Sequence, residues 1–236
     1  MQAVILAGGK GTRLVPLTKV FPKPLVPLGE KPILDIILRQ LKYFGFTRVT
    51  LAVGYMAEMI QTYVSNGERY GIDIEYVFED EPLGTVGPLA RMDHLDQSFL
   101  VMNGDVITNL NYSALFQFHK DRKGLLTIGT YKKPFKIDLG IITQEADNRI
   151  TDYIEKPLHI FQVSMGVYVF EREVLRYITP DKYLDFPDLV KRLLGSGLPV
   201  MSYPFDGYWL DIGNHSDYEK ALEEYDERIK GNLYLA

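Results

Sequence analysis

Three glycines fall within six residues at Gly8-Gly9-Lys10-Gly11-Thr12-Arg13, directly after the apolar run Ala3 to Ala7 of this 236-residue chain. Glycine at a strand end lets the backbone reach positive φ and bring its N–H groups close to a ligand. Successive exposed N–H groups, here from Gly8 through Thr12, make a concavity suited to phosphate. Arg13 adds a planar, permanently charged fork for phosphate oxygens. The spacing is neither G-x-x-x-x-G-K-[ST] nor G-x-G-x-x-G, because Leu14 stands where a third glycine would fall. For the glycines alone, a tight strand-to-helix turn without a ligand stays open. A little further on, Phe21-Pro22-Lys23-Pro24-Leu25 fixes a lysine between two prolines, whose locked φ stiffens the chain around it. A rigid lysine beside a phosphate cradle is an electrostatic catalyst, whereas a loop lysine in solvent is not.

Two aspartates complete the set. Asp105 ends an apolar strand at Asn103-Gly104-Asp105, and ligands of open α/β sheets bind at the strands' carboxyl ends. Asp211 sits in Gly207-Tyr208-Trp209-Leu210-Asp211-Ile212-Gly213, which reads as a stiff strand. Magnesium takes one or two carboxylates plus phosphate oxygens and water, so two aspartates distant in sequence suffice if the fold unites them. Either could instead cap a turn, Asp211 the one leading into the C-terminal helix. Asp217 falls inside that helix pattern and Asp206 lacks an apolar strand before it, so both are weaker candidates. Asp185-Phe186-Pro187-Asp188 is one residue too long for the D-x-D motif of a glycosyltransferase.

The remaining composition narrows the classes. The chain has no cysteine, which excludes thiol catalysis, iron–sulfur clusters and cysteine zinc sites and suits a reducing cytoplasm. His94, His119, His159 and His215 show no metal spacing. A net charge of −5 with scattered basic residues argues against a nucleic-acid binder. No apolar run approaches the ~20 residues that cross a bilayer. The opening M-Q-A-V-I-L-A-G-G has no basic lead-in and reads as a buried strand, not a signal peptide.

Strands and helices alternate in the first half and must position these groups. Ala3 to Ala7, Arg48 to Val53 and Phe99 to Met102 read as buried strands, and Ile72 to Phe78 as an alternating one. Ile33 to Phe44 and Met56 to Val64 carry helical spacing, the first ended by Gly45. This alternation predicts a parallel-rich sheet with helices on both faces. In the second half Leu125 to Tyr131, Ile137 to Thr143, Ile150 to Ile154 and Met165 to Phe170 read as antiparallel strands with few helices between, widening the sheet and forming a rim. Ser216 to Lys230 reads as a charged amphipathic helix. One domain with two functional lobes, 1–110 and 111–236, is expected over 1–236.

The order A-G-G-K-G-T-R-L, P-K-P-L-V-P-L and K-P-I-L strongly resembles the opening of the sugar-1-phosphate nucleotidylyltransferases, which include glucose-1-phosphate thymidylyltransferases and mannose-1-phosphate guanylyltransferases. The likeness continues in order through Glu81-Pro82-Leu83-Gly84-Thr85, Asn103-Gly104-Asp105, Glu155-Lys156-Pro157, Gly166-Val167-Tyr168 and Trp209-Leu210-Asp211-Ile212-Gly213, nearly the whole chain. It implies a Rossmann-like three-layer α/β sandwich with a mixed, mostly parallel central sheet and a smaller antiparallel sugar-binding lobe.

The activity implied joins a nucleoside triphosphate to a sugar 1-phosphate, releasing pyrophosphate, in cytoplasmic nucleotide-sugar and polysaccharide biosynthesis. The resemblance makes Asp105 and Asp211 the Mg2+ ligands and Arg13 and Lys23 the catalytic cations. Leu6 to Gly9, Gly11 to Arg13, Lys23, Pro82, Gly84 and Thr85 would meet the nucleotide. Gly140, Glu155, Lys156 and Ser164 would meet the sugar phosphate. E-P-L-G-T-V-G-P-L is similar to the mannose-type guanylyltransferases, so GTP with a mannose- or heptose-type sugar is the expectation; UTP, CTP or dTTP specificity is the alternative. The chain departs from the family at Val15, where a polar residue is common, at Leu139 in place of tyrosine, and at Ser164 in place of asparagine. A homodimer is also implied, and neither nucleic acid nor membrane as a partner. A silent nucleotide-sugar-sensing subunit would be expected to lack Lys23 or the aspartates, and a cytidylyltransferase of non-sugar phosphates would differ at Trp209 to Gly213.

Overall fold

The computed structural model of the chain describes residues 1–79 and 81–231. Its strands in chain order are β1 (Gln2–Ala7), β2 (Pro27–Leu28), β3 (Lys31–Pro32), β4 (Arg48–Val53), β5 (Asp73–Phe78), β6 (Ser98–Asn103) and β7 (Val106–Thr108). They continue as β8 (Leu126–Lys136), β9 (Ile141–Gln144), β10 (Ile150–Ile154), β11 (Leu158–Glu171), β12 (Val200–Phe205) and β13 (Trp209–Asp211). The α-helices are α1 (Ile33–Tyr43), α2 (Ala57–Val64), α3 (Tyr112–Arg122), α4 (Phe186–Gly195) and α5 (His215–Glu223).

Seven strands form one sheet in the order β12-β8-β11-β6-β1-β4-β5. Only β11 runs antiparallel to its neighbours; the other pairings are parallel. This is the mixed, mostly parallel sheet expected. Along β1, Ala3, Ile5 and Ala7 enter one core while Val4 enters the other, so both faces are buried, as a strand inside a covered parallel sheet requires. The first core takes α1, α2 and α3, and the second takes α4. Helices therefore cover both faces, and the sheet's carboxyl edge is left to the loops.

The local chemistry explains most boundaries. The apolar face of α1 buries Ile33, Leu34, Ile37 and Leu41, and the chain turns out of the helix at Gly45 with φ 80°. Asn111 caps α3 by accepting the Ala114 amide at 3.0 Å, a cap worth about 1 kcal/mol. Asn214 caps α5 through the Asp217 amide at 3.1 Å.

The second half departs from the sequence expectation in three places. It contains two full helices, α3 and α4, to which the sequence reading assigned no segment, although neither lies between the four expected strands. The strand expected over Ile137 to Thr143 is broken: β8 continues to Lys136 and β9 starts at Ile141, because Asp138 and Gly140 favour a turn. The C-terminal helix stops at Glu223 and gives way to a π-helical turn over Tyr225–Ile229. The antiparallel rim takes the form of an arm. The distal half of β8, over Tyr131–Lys136, pairs with Leu158–Val163 of β11, beside the β9–β10 hairpin. Residues 232–236 of the expected second half lie outside the described residues.

Candidate functional site

Four segments meet at the carboxyl edge of β1 and β6. Gly104 N–H donates to Leu6 C=O at 3.0 Å, which ties the turn carrying Asp105 to the end of β1. Gly11 turns the opening loop at φ 59°, a conformation glycine takes without strain, and its carbonyl accepts the Thr18 hydroxyl at 2.8 Å. The proline-flanked lysine occupies a 3-10 turn, Lys23–Leu25, anchored by buried Leu25 and Val26. From there Lys23 Nζ pairs with Asp105 Oδ2, their side chains only 12% and 19% exposed. Short antiparallel pairing of β13 with β7 sets Asp211 opposite Val106, and Ile212 N–H donates to Asp105 C=O at 3.0 Å. The two aspartates, 106 positions apart in sequence, thus share one small β-ribbon.

The C-terminal segment then folds back over the opening loop. A Cβ at Gly213 would lie 3.4 Å from Arg13 Nη1, and His215 Nε2–H donates to Val15 C=O at 2.6 Å. Leu6, Ala7, Gly9, Gly11, Thr12 and Arg13 line a cleft of about 250 Å³ together with Lys23, Asp105 and Gly213.

Electrostatics tie Asp211 to the same place. Burial, then the neighbouring charge of Asp105, push its pKa up to about 6; Lys23 offsets part of this, Asp217 adds to it and Arg13 opposes it. Asp217 was a weak candidate on sequence, yet its carboxylate accepts the Gly213 amide at 3.2 Å inside this cluster. Asp105 Oδ1 is buried without a hydrogen-bond partner. An unpartnered buried carboxylate oxygen beside a second, desolvated carboxylate is what a divalent cation would satisfy. Among the described residues no group of three or more His, Asp or Glu side chains forms a metal cage; magnesium needs only one or two carboxylates when phosphates supply other ligands. The residues present therefore fit Mg2+.

Other expected site residues lie elsewhere. Gly8 faces away from the cleft, its carbonyl accepting the Tyr55 amide at 3.3 Å. Pro82, Gly84 and Thr85 belong to a separate loop, joined to the glycine-rich segment by Glu79, which the sequence reading missed. Glu79 Oε2 accepts the Leu83 amide at 3.2 Å, and its other oxygen lies so close to Gly8 that a Cβ there would collide with it. Burial pushes the Glu79 pKa up, with the Leu83 amide and Arg91 pulling it back.

Gly140, Glu155 and Lys156 are gathered on the exposed arm around Tyr153. The Tyr153 hydroxyl donates to Glu155 at 3.0 Å and abuts Gly140, and Lys156 Nζ stands 3.8 Å from Glu155. Ser164 is nearer the carboxylates: it donates to the Tyr168 hydroxyl at 3.2 Å, and the Tyr168 pKa is pushed up to about 12, chiefly by burial, with Asp105 and Asp211 contributing. Glu79 and Asp217 had no sequence signal beyond proximity to a motif, whereas Tyr168 stands inside the run Gly166-Val167-Tyr168.

Comparisons with known proteins bear on the family and the fold. The Nucleotidyl transferase family model matches residues 2–228. The chain is 32% identical to the UTP–glucose-1-phosphate uridylyltransferase of Synechocystis sp., with 94% of this chain and 62% of that protein aligned. It is 34% identical to the mannose-1-phosphate guanyltransferase of Yarrowia lipolytica, over 92% of this chain and 62% of the relative. The chain thus spans about 62% of the length of these curated relatives. The crystal structure of HddC from Yersinia pseudotuberculosis complexed with GMP-PN superposes with a TM-score of 0.73 at 26% identity, covering 95% of this chain and 99% of that one. A Bacillus anthracis crystal structure in complex with a sucrose shares the fold at a TM-score of 0.77 and 23% identity, with 96% of each chain covered.

Proposed function

The chain belongs to the nucleotidyl transferase family, and from that premise we propose that it joins a nucleoside triphosphate and a sugar 1-phosphate into a nucleotide sugar and pyrophosphate. The observation carrying this reading is the meeting of Arg13, Lys23, Asp105 and Asp211 from four separate segments at one sheet edge.

The reaction is an in-line attack by a sugar-phosphate oxygen on the α-phosphorus. That nucleophile is already an anion, so no general base is required; the difficulty is repulsion. Two unit charges ~4 Å apart repel by roughly 4 kcal/mol at an effective dielectric of ~20. Positioning and charge cancellation dominate phosphoryl transfer, and the same logic extends to nucleotidyl transfer. In this reading the amides of the glycine-rich loop and Arg13 hold the triphosphate and the departing pyrophosphate. Lys23, held ready by Asp105, meets the charge that builds on the α-phosphate. Asp105 and Asp211 would hold Mg2+, which when bound supplies positive charge to the phosphate oxygens. Gly140, Glu155 and Lys156 on the arm, with Ser164 at its root, receive the sugar phosphate. This keeps residues 1–110 mainly for nucleotide and 111–236 mainly for sugar. A cytoplasmic setting and a homodimer belong to the same reading.

Two things favour GTP with a mannose- or heptose-type sugar. One is the guanylyltransferase among the relatives. The other is Glu79, whose carboxylate, when ionised, only accepts hydrogen bonds, matching the adjacent N–H donors of guanine better than the single N–H of uracil or thymine. The test is a pyrophosphate-release screen of GTP, UTP, CTP, dTTP and ATP against a panel of sugar 1-phosphates with Mg2+. Turnover is expected with at least one pair, GTP foremost. No release with any pair refutes catalysis and leaves the silent sensing subunit.

A further inference from the structure

Asp185 stands at the N-cap of α4, where an aspartate ordinarily turns its carboxylate onto the amides of the first helical turn. Here the side chain makes no such bond. Its Oδ1 accepts the Thr85 amide at 3.1 Å and the Thr85 hydroxyl at 3.3 Å, and its Oδ2 accepts the Tyr183 hydroxyl at 2.6 Å. The Thr85 oxygen in turn accepts the Phe186 amide at 2.6 Å. Backbone bonds run beside this exchange: Leu184 N–H to Leu83 C=O at 2.9 Å, and Val86 N–H to Leu184 C=O at 3.1 Å. Gly84 takes φ 76° between them, and a Cβ on it would lie 2.6 Å from the Leu184 oxygen. Residues 183–186 thus clasp residues 83–86 from 100 positions away in sequence.

The other flank of the clasped loop reaches the glycine-rich segment. Leu83 N–H donates to Glu79, and Glu79 lies against Gly8 of the glycine-rich segment. The Thr85 amide and hydroxyl are both committed to the clasp, so neither is left to serve a ligand. The Tyr183 hydroxyl, with Thr85, holds the Asp185 carboxyl below its ordinary pKa.

We infer that Asp185 is a positioning residue for nucleotide selection: it forgoes capping its own helix to hold Thr85, and so fixes the Pro82–Thr85 loop where a nucleobase would meet Glu79. This rests on the proposed nucleotidyl transfer, and it reassigns Thr85 from ligand contact to support.

The test varies the triphosphate and the sugar 1-phosphate separately in wild type, Asp185→Ala, Asp185→Asn and Thr85→Val, with melting temperatures alongside. A lost charged hydrogen bond predicts that Asp185→Ala raises KM for the triphosphate about tenfold. KM for the sugar phosphate should stay within about twofold, and preference among triphosphates should narrow. Asp185→Asn, which keeps an acceptor for the Thr85 amide, should fall between, and Thr85→Val added to Asp185→Ala should bring no further rise. The inference is overturned if both KM values rise together, if kcat alone falls, or if only the melting temperature moves. Should the wild type turn over no substrate pair, the catalytic reading falls and calorimetric GTP affinity of the same variants decides the clasp separately: weaker binding by Asp185→Ala upholds it, and equal affinities or no GTP binding by the wild type sink it.

Discussion

At the end of β5 the Glu79 carboxylate holds the Leu83 amide with one oxygen and keeps the other against Gly8. A carboxylate offers acceptors only, whereas an amide of the same size presents one acceptor and one donor. Glu79→Gln should therefore raise KM for GTP about tenfold, the scale of one charged hydrogen bond, while UTP and dTTP gain relative to GTP. Comparing kcat/KM for all the triphosphates checks this, and an unchanged ratio removes Glu79 from base selection. Asp217 makes the complementary point for the metal side. A residue that looks like ordinary helix surface from its sequence pattern stands in the carboxylate cluster because α5 begins just past Gly213.

Helix α3 is tethered to β8 and β11 through His119, whose side chain is 1% exposed. Its Nδ1 lies 2.7 Å from the Thr127 hydroxyl and its Nε2 lies 3.0 Å from Glu171. Burial lowers its pKa below the ordinary 6.5 despite the pull of Glu171, so the neutral ring donates through Nε2–H and accepts the Thr127 proton. As pH falls, the unfolded chain takes up this proton before the folded one. The contribution is therefore complete above about 6.5 and is lost as pH drops through 6.5 toward the lower folded value. Melting temperature should fall with acidification across that window in the wild type and fall less steeply in His119→Gln, which starts lower by about 1–3 kcal/mol; parallel profiles would contradict this. Such a buried polar anchor also explains why α3 escaped sequence reading: Tyr112, Leu115, Phe116 and His119 make its inner face, and the histidine blurs the apolar stripe. By contrast β1 was legible because every residue from Ala3 to Ala7 is apolar, and α1 because its stripe is unbroken. α4 was missed although Phe186, Leu189 and Leu193 mark it; Asp185-Phe186-Pro187-Asp188 read as an overlong D-x-D instead of a helix start. Local patterns revealed the glycine loop, the fixed lysine and the two aspartates. The Asp185–Thr85 clasp depends on a partner 100 positions away, which no local pattern encodes.

Over the whole molecule, a net charge of −5 opposes the approach of triphosphate and sugar phosphate. The proposed chemistry therefore depends on positive charge concentrated at one edge, not on the overall field. The fold supplies part of this by setting Arg13 and Lys23 at that edge, ordered by Asp105, Asp211 and Asp217; the three carboxylates outnumber the two cations, so a divalent ion held there would have to supply the rest. Second-half elements, β13, α5 and the residues before α4, reach back to the first-half loops, and the parts assigned to the two substrates are mechanically joined. The central claim is that these fixed cations let two mutually repelling phosphates react, and turnover of Lys23→Ala under saturating substrates and Mg2+ tests it most directly. The account predicts a fall in kcat of about 10²–10³-fold, the scale of one lost electrostatic group in a transition state, with the fold intact by circular dichroism. Turnover close to that of the wild type would contradict it.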